Sequence, residues 1–351
     1  MKFTFSFLIS FYLAVQVEAS ELYVGCSAYE IKADDNMVIG GGIGPGRAKG
    51  QEGKLRAQAL VVALKNETGF EKVAIVVLDC LMIRKDYLDP AAKEIEKLCS
   101  IPFKNILINA THTHHAPSTC TVHGYKRDEN FCTRVKEAIV KSVVAACKNL
   151  SPCEEVLFRL GQEATVGQNS RLLLSDGTIY WVGPRHDAIR PTGPFDPDLP
   201  VLAFKSRGRL KAILWNHSTH NIGTLRAGVR SPGIYGLASQ QIEKETGAIT
   251  LFVSGAFGST HNLSVPPQEA VYRLKAAIKK ALRKARRISM DKLAAIKESF
   301  SYKIRYFDEE KEDRAVSYYC RKRCDKNFAE YTIKVFRRMR KELSPLQGKE
   351  R

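Results

Sequence analysis

Three of the eight histidines in the sequence fall within four positions of the segment NATHTHHAPS, residues 109–118. An imidazole can bind a metal ion or carry a proton near neutral pH, and side chains alternate along an extended chain. We therefore expect His112 and His114 to share one face of the segment and His115 to point away. Two histidines on one face can both bind a metal, or one can bind it while the other handles a proton.

Two further apolar runs also end in residues that can bind a metal, transfer a proton or act as a nucleophile. AILWNHSTHNIG carries His217 and His220, and ITLFVSGAFGSTHN ends in serine, threonine and histidine. In sheets that contain parallel strands, functional groups collect where strands end and loops begin. Three apolar runs with this ending therefore predict a metal site at the C-terminal ends of strands.

The elements that would position these residues are short, β-branched and almost continuously apolar, which is typical of strands covered on both faces. Such runs occupy 60–64, 72–83, 105–110, 211–216 and 248–256. Helical patterns lie between them, at 86–99, 129–149, 235–246 and 267–287. The alternation predicts an α/β fold, with a mixed central sheet or sheets flanked by helices.

The N-terminus, MKFTFSFLISFYLAVQVEAS, predicts a secretory signal peptide over residues 1–19. It combines a lysine, an apolar stretch and small residues at Val17 and Ala19. A membrane anchor is disfavoured, because the apolar stretch is shorter than the ~20 residues that a span needs. We expect cleavage after Ala19 or Ser20 and a secreted or periplasmic protein.

The chain is strongly basic, with a formal net charge of +18. Its surface should attract anions, and peripheral contact with an anionic membrane surface is one expectation. The basic runs KKALRKARR and FRRMRK are most often the solvated faces of amphipathic helices. Nucleic acid is disfavoured as a partner, because an exported chain without a recognition motif is a poor candidate.

Nine cysteines in an exported chain are compatible with disulfides, and the odd count leaves at least one without an internal partner. Local pairs are available at 120 and 132, at 147 and 153, and at 320 and 324. The spacing leaves the connectivity open.

Taken together, these motifs resemble the neutral/alkaline, non-lysosomal ceramidase family, whose members are zinc amidohydrolases that cleave the amide of N-acylsphingosine. ATHTHHAP resembles the family segment THTHSGP, and GQNSRLLLSDGTIYW is similar to its Asn/Arg loop. DPDLPVLAFKSRGRLKAILWNHSTH is similar to a strand pair that ends in a metal histidine, and SPGIYGLAS to a helix start. The similarity spans residues 22 to about 265 and is closest to the bacterial ceramidase-like branch.

The resemblance implies that His112 and His220 bind zinc and that His114 lies beside the metal and handles a proton. His217 is a further candidate at the metal, since a one-turn shift in the alignment would exchange it with His220. Arg171 matches an arginine that approaches the substrate amide and could stabilise an oxyanion. The implied reaction is hydrolysis of the N-acyl amide of ceramide or a related N-acyl lipid to a fatty acid and an amine such as sphingosine.

The sequence departs from the family pattern around the nucleophile. In place of the family's G-D-x-S-P loop it has Gly258, Ser259, Thr260 and His261, so Ser259 is the nearest hydroxyl but its position does not match. Gly233 stands where relatives often carry an aspartate. His115 stands where the family has serine, so we expect its replacement to be tolerated.

The family's glutamate and tyrosine zinc ligands lie beyond the segment that the C-terminus resembles. The resemblance thus implies that residues 20–351 are a ceramidase-like N-terminal domain truncated at its C-terminus. Two histidines alone would hold zinc weakly, unless a group such as Asp79 substitutes. The alternative to an amidohydrolase is a non-catalytic relative that binds lipid or metal without turnover.

Overall fold

The structure of the protein is a computed structural model that describes residues 21–67 and 69–351. The predicted signal peptide, residues 1–19, lies outside these ranges. Two five-stranded sheets flanked by helices dominate the described part of the chain, which confirms the predicted mixed α/β fold. No helix in that part is both long and apolar enough to span a bilayer.

In chain order the strands are β1 (Leu22–Glu30), β2 (Arg56–Asn66), β3 (Gly69–Leu78), β4 (Ile106–Ala110), β5 (Ser151–Pro152), β6 (Glu155–Gln162), β7 (Gln168–Asn169), β8 (Leu172–Leu174), β9 (Ala188–Pro191), β10 (Asp198–Ser206), β11 (Arg209–His217), β12 (Ile249–Ser254), β13 (Thr260–His261) and β14 (Arg286–Ile288). The helices are α1 (Lys85–Cys99), α2 (Glu129–Lys148), α3 (Gly233–Thr246), α4 (Pro267–Lys284), α5 (Glu309–Arg323) and α6 (Lys326–Leu343). Short 3₁₀ turns cover Phe103–Asn105 and Ser344–Leu346.

The first sheet leads into the segment that carries His112. Its order is β4-β3-β2-β1-β5, and it is antiparallel except for the parallel pair of β3 and β4. The first nine residues of β2 are all buried, because a sheet covered on both faces leaves no solvent side, as the unbroken apolar run predicted. Helices α1 and α2 pack on its outer face.

The second sheet leads into the segment that carries His220. Its order is β12-β11-β10-β6-β14. Strands β10 and β11 form the strand pair that the family resemblance implied and are antiparallel, whereas β11 and β12 run parallel. Helices α3 and α4 cover its outer face. Val24 and Leu60 of the first sheet share a buried cluster with Phe204 and Leu251 of the second, so the two sheets face each other between outer layers of helix.

Two predicted elements end earlier than their apolar patterns suggested. β3 stops at Leu78, and residues 79–83 leave the sheet instead of extending it to 83. α4 stops at Lys284, and residues 286–288 form β14, which pairs with the edge of β6. At residues 286–288, pairing with a strand distant in the sequence replaces the predicted continuation of the helix. Thr260–His261 likewise form β13 by pairing with β7.

The C-terminal helices α5 and α6 form a hairpin with its own small core, which includes Cys320, Ala329 and Ile333. Each helix begins at an aspartate whose side chain accepts a backbone N–H: Asp308 caps α5 and Asp325 caps α6. All nine cysteines of the chain are free thiols in the structure, so none of the local pairs left open by the sequence is joined.

Candidate metal centre

Two loops at neighbouring strand ends bring three histidines together. His112 and His114 follow β4, and His220 follows β11. Ser254 at the end of β12 donates a hydrogen bond to the carbonyl of Ala110 at the end of β4, at 2.9 Å, so the strand ends of the two sheets meet. One potential ligand atom from each histidine lies within 4.8 Å of the other two. The predicted site at the C-terminal strand ends is where these rings converge.

Hydrogen bonds to backbone carbonyls set the tautomer of two of these rings. Nδ1 of His112 lies 2.8 Å from the Leu81 carbonyl oxygen, and Nδ1 of His220 lies 2.8 Å from that of Phe257. A carbonyl only accepts, so each Nδ1 carries the proton and each Nε2 keeps its lone pair. A carbonyl behind the ring is the usual support of a metal-binding histidine.

His114 supplies the third ring. Its Nε2 is buried and has no hydrogen-bond partner among the described residues, which is costly for a polar atom unless something else binds it. Gly41 lies directly against the ring: a Cβ at that position would be 2.6 Å from His114, and its φ is +107°. An unpartnered nitrogen beside two oriented lone pairs fits a metal ion.

Burial keeps these imidazoles neutral. Together with the neighbouring histidines, it lowers the pKa of His114 far below the usual range and that of His220 to about 4. Burial also lowers the pKa of His112. The neutral ring is the form that binds a metal ion, so the site needs no deprotonation at pH 7.

The structure places His217 outside this group. Its side chain is fully buried, with Nδ1 2.8 Å from the Tyr235 hydroxyl and Nε2 3.0 Å from the Glu163 carbonyl. Both ring nitrogens therefore have protein partners. Of the two histidines that an alignment shift would exchange, the geometry brings His220 to the cluster.

Arg171 and Ser259 occupy different surroundings. Arg171 lies close enough that its positive charge helps to lower the pKa of His220, after burial and His112, and no carboxylate within the described ranges pairs with it. The carbonyl of Ser259 accepts hydrogen bonds from the Ser170 amide at 2.7 Å and from the Ser170 hydroxyl at 3.1 Å. The Ser259 hydroxyl makes no hydrogen bond in the described part of the chain.

His261 belongs to the site, although the sequence analysis did not assign it a role. Its ring stacks on His220, and its Nδ1 lies 2.7 Å from the Ser170 hydroxyl. Because the Ser170 hydroxyl donates its one proton to the Ser259 carbonyl, it accepts from Nδ1–H of His261. Nε2 of His261 therefore keeps its lone pair. A histidine at the end of the third apolar run was the signal that could have identified it.

The two other positions singled out in the sequence do not supply ligands. Asp79 is fully buried, and its Oδ2 accepts hydrogen bonds from the Arg56 amide at 3.1 Å and the Gln58 side chain at 3.0 Å. It is not part of the ligand group. Gly233 has φ +72°, and a Cβ there would lie 2.1 Å from Asn221 Oδ1. A larger residue would therefore require Asn221 to move.

A cavity of about 480 Å³ lies beside the cluster. One wall is His114, another is the glycine-rich loop 39–46, and a third is Tyr331 of α6. The loop and the helix are in close contact, because a Cβ on Gly44 would lie 2.9 Å from the Tyr331 ring. Of the three clustered histidines, His114 is the one that lines this cavity.

The arrangement of sheets matches solved structures. A neutral ceramidase from Pseudomonas aeruginosa superposes with a TM-score of 0.62 at 18% identity, over 76% of this chain and 45% of that one. A ceramidase complexed with C2 superposes with a TM-score of 0.60 at 18% identity, over 76% of this chain and 44% of that one. The chain has the neutral ceramidase fold.

At this identity the likeness concerns the neutral ceramidase fold and not the activity. The chain spans less than half the length of both ceramidase structures. No protein-family model matches the chain, and no curated protein sequence matches it. Within the neutral ceramidase fold, the cluster of His112, His114 and His220 is the feature that bears on function.

Proposed function

We propose that the protein is a zinc-dependent amidohydrolase that cleaves the N-acyl amide of ceramide or a related N-acyl lipid to a fatty acid and an amine such as sphingosine. The observation that carries the proposal is the cluster of His112, His114 and His220, with ligand atoms within 4.8 Å of one another. It lies at the strand ends of a fold shared with neutral ceramidases.

The donor set supports zinc as the metal. Imidazole nitrogens suit zinc, and three histidines with one open position are a known ligand set of catalytic zinc sites. Held by His112, His114 and His220, zinc would supply Lewis-acid polarisation of the scissile carbonyl and activation of a water. His114 thus acts as a third ligand, a different role from the proton carrier that the family resemblance implied.

The other residues of the site hold the substrate. Arg171 is permanently cationic and has no carboxylate partner within the described ranges, so it is available to the carbonyl oxygen as negative charge develops there. Nε2 of His261 is a hydrogen-bond acceptor and can take an N–H or O–H of the substrate. The cavity beside His114, whose lining includes Ile39, Ile43 and Pro45, accommodates part of an apolar acyl chain.

A non-catalytic relative is the second candidate. It is favoured by the ligand group itself, which includes no carboxylate among the described residues. Such a protein would bind zinc or an N-acyl lipid and release no product. The two candidates make the same prediction for metal binding and opposite predictions for turnover.

The test is hydrolysis of a ceramide with a labelled acyl chain by the purified, zinc-loaded chain. We expect release of labelled fatty acid that stops on chelation and returns with zinc. His112→Ala and His220→Ala should each reduce the rate at least ~10²-fold, whereas substitution of the exposed His186 by alanine should not. Chelator-insensitive hydrolysis contradicts the zinc mechanism, and zinc binding without turnover on any N-acyl lipid favours the non-catalytic candidate.

On this proposal the protein is exported and meets its substrate at an anionic membrane surface. The signal-like sequence of residues 1–19 and the formal net charge of +18 support it. Co-sedimentation with vesicles tests the surface contact: binding should require phosphatidylserine and weaken with salt, because the attraction is electrostatic. Equal binding to neutral vesicles contradicts it.

A further inference from the structure

The ring of His115 is not part of the ligand group, but it makes a hydrogen bond to a distant segment of the chain. Its Nε2 accepts a hydrogen bond from the Gly223 amide at 2.8 Å, across 108 positions of sequence. Its carbonyl accepts the Ser231 amide at 3.0 Å. His115 therefore joins the segment that carries His112 to the segment that follows His220.

That second segment needs such a contact. Residues 218–229, between β11 and α3, belong to no helix or strand. A loop without a ladder or helical hydrogen bonds takes its position from individual side-chain and backbone contacts. Where the His220 ring lies relative to His112 and His114 consequently depends on what holds this loop.

Several side chains from other parts of the chain hold the loop beyond His220, and among them Asn262 donates to the Ile222 carbonyl at 3.3 Å and Gln268 to the Leu225 carbonyl at 3.1 Å. His115 binds the Gly223 amide, and the buried carboxylate of Glu52 accepts the amides of Leu225 at 2.8 Å and Arg226 at 3.0 Å. Of these side chains, His115 is the one that comes from the segment that supplies the other two rings.

The backbone at Gly223 has a conformation that favours glycine. Its φ is +119°, and a Cβ there would lie 2.6 Å from Pro267 at the start of α4. Only glycine adopts this conformation in so narrow a space without strain. The direction of the Gly223 amide is thus set by packing against α4 and meets the His115 ring.

We propose that His115 is a positioning residue of the metal centre, which holds the His220 loop in register with His112 and His114 through the Gly223 amide. The inference rests on the metal centre proposed above. It differs from the expectation, drawn from a serine in the related family, that replacement of His115 is tolerated.

The experiment measures the dissociation constant for Zn²⁺ by competition with a chromophoric chelator. We expect His115→Ala to weaken Zn²⁺ binding about 10–100-fold, the usual effect of removing a support behind metal ligands. His115→Gln keeps an acceptor and should restore most of the affinity, whereas His115→Leu fills the space without one and should not. The Co²⁺ absorption spectrum of His115→Gln should match that of the wild type, because the ligands are unchanged.

Thermal unfolding of the metal-free variants separates this role from a loss of fold. The glutamine and leucine variants should unfold at similar temperatures and differ in Zn²⁺ affinity. Wild-type affinity in His115→Ala, or equal affinity in the glutamine and leucine variants, overturns the positioning role alone. Absence of Zn²⁺ binding by the wild type overturns the metal centre and the positioning role with it.

Discussion

The imidazole rings of His220 and His261 stack with their centroids 4.1 Å apart and their planes 10° from parallel. The hydrogen bond from His261 to Ser170 fixes one ring, and that from His220 to Phe257 fixes the other. The pair thus forms a rigid wall of the candidate metal centre. His261 occupies the loop in which the sequence suggested a serine nucleophile.

Replacement of His261 should separate turnover from metal binding. We expect His261→Ala to lower ceramide hydrolysis about 10²-fold or more with an unchanged zinc content, because it removes an acceptor at the site and no ligand. Ser259→Ala is the matched control from the same loop, and its rate should stay near wild type. Loss of activity in Ser259→Ala with activity retained in His261→Ala would assign the role to the serine.

The ligand assignment predicts different defects for His220 and His217. His220→Ala, like His112→Ala, should lose the bound zinc found by elemental analysis. His217→Ala should keep its zinc and lose about 1–3 kcal/mol of the free energy of unfolding, because it removes a hydrogen-bond partner from the buried hydroxyl of Tyr235 and from the Glu163 carbonyl. Denaturant titration of both proteins provides the measurement. Zinc loss in His217→Ala alone would reverse the assignment.

The buried imidazoles predict how stability depends on pH. The pKa of His220 and that of His261 are each lowered from 6.5 to about 4, chiefly by burial. Below pH 6.5 the unfolded chain takes up protons that the folded protein does not. The free energy of unfolding should therefore have its full value above pH 6.5 and decrease as the pH drops toward 4. Guanidinium titrations of the metal-free protein test this, and His261→Asn should show a shallower fall. An equal slope in wild type and variant would contradict it.

The contact between Gly41 and His114 predicts that a substitution far away in the sequence weakens metal binding. Gly41→Ala should weaken zinc binding, because a Cβ would meet the His114 ring at 2.6 Å. Gly177→Ala is the control, since Gly177 also has a positive φ, at +80°, but has nothing within 4 Å of its Cβ position. Both variants place an alanine at a positive φ, so only Gly41→Ala adds the clash with the His114 ring. Chelator competition should therefore show weaker binding only in Gly41→Ala, and equal affinities would contradict the contact.

Export predicts a defined N-terminus. If residues 1–19 are a cleaved signal, protein collected from the medium or the periplasm should begin at Ser20 or Glu21 in N-terminal sequencing. A variant with Lys2 and the apolar stretch deleted should stay inside the cell. Extracellular protein that still begins with Met1 would argue against cleavage.

Some of this protein could be predicted from the sequence by itself. A strand buried on both faces leaves an unbroken apolar run, and an amphipathic helix leaves a period of 3.6, so the α/β class and five strands of the two sheets, β2, β3, β4, β11 and β12, follow from local pattern. The polar residues after those runs indicated where the site lies, because loops at strand ends carry functional groups. β1 and β6 were not among the predicted strands, and β5, β7, β13 and β14 have only two or three residues, which contain no pattern and pair non-locally.

Only the tertiary structure decided which histidine ring nitrogens lie close together. His112 has φ +58°, so its segment turns and does not alternate as a strand, yet its ring still lies 4.9 Å from that of His114. His217 is removed from the site by partners 18 and 54 positions away. A hydrogen bond between residues distant in the sequence leaves no periodic signal near either one. Folding therefore decided which histidine nitrogens lie together, while the sequence determined which strand ends they would come from.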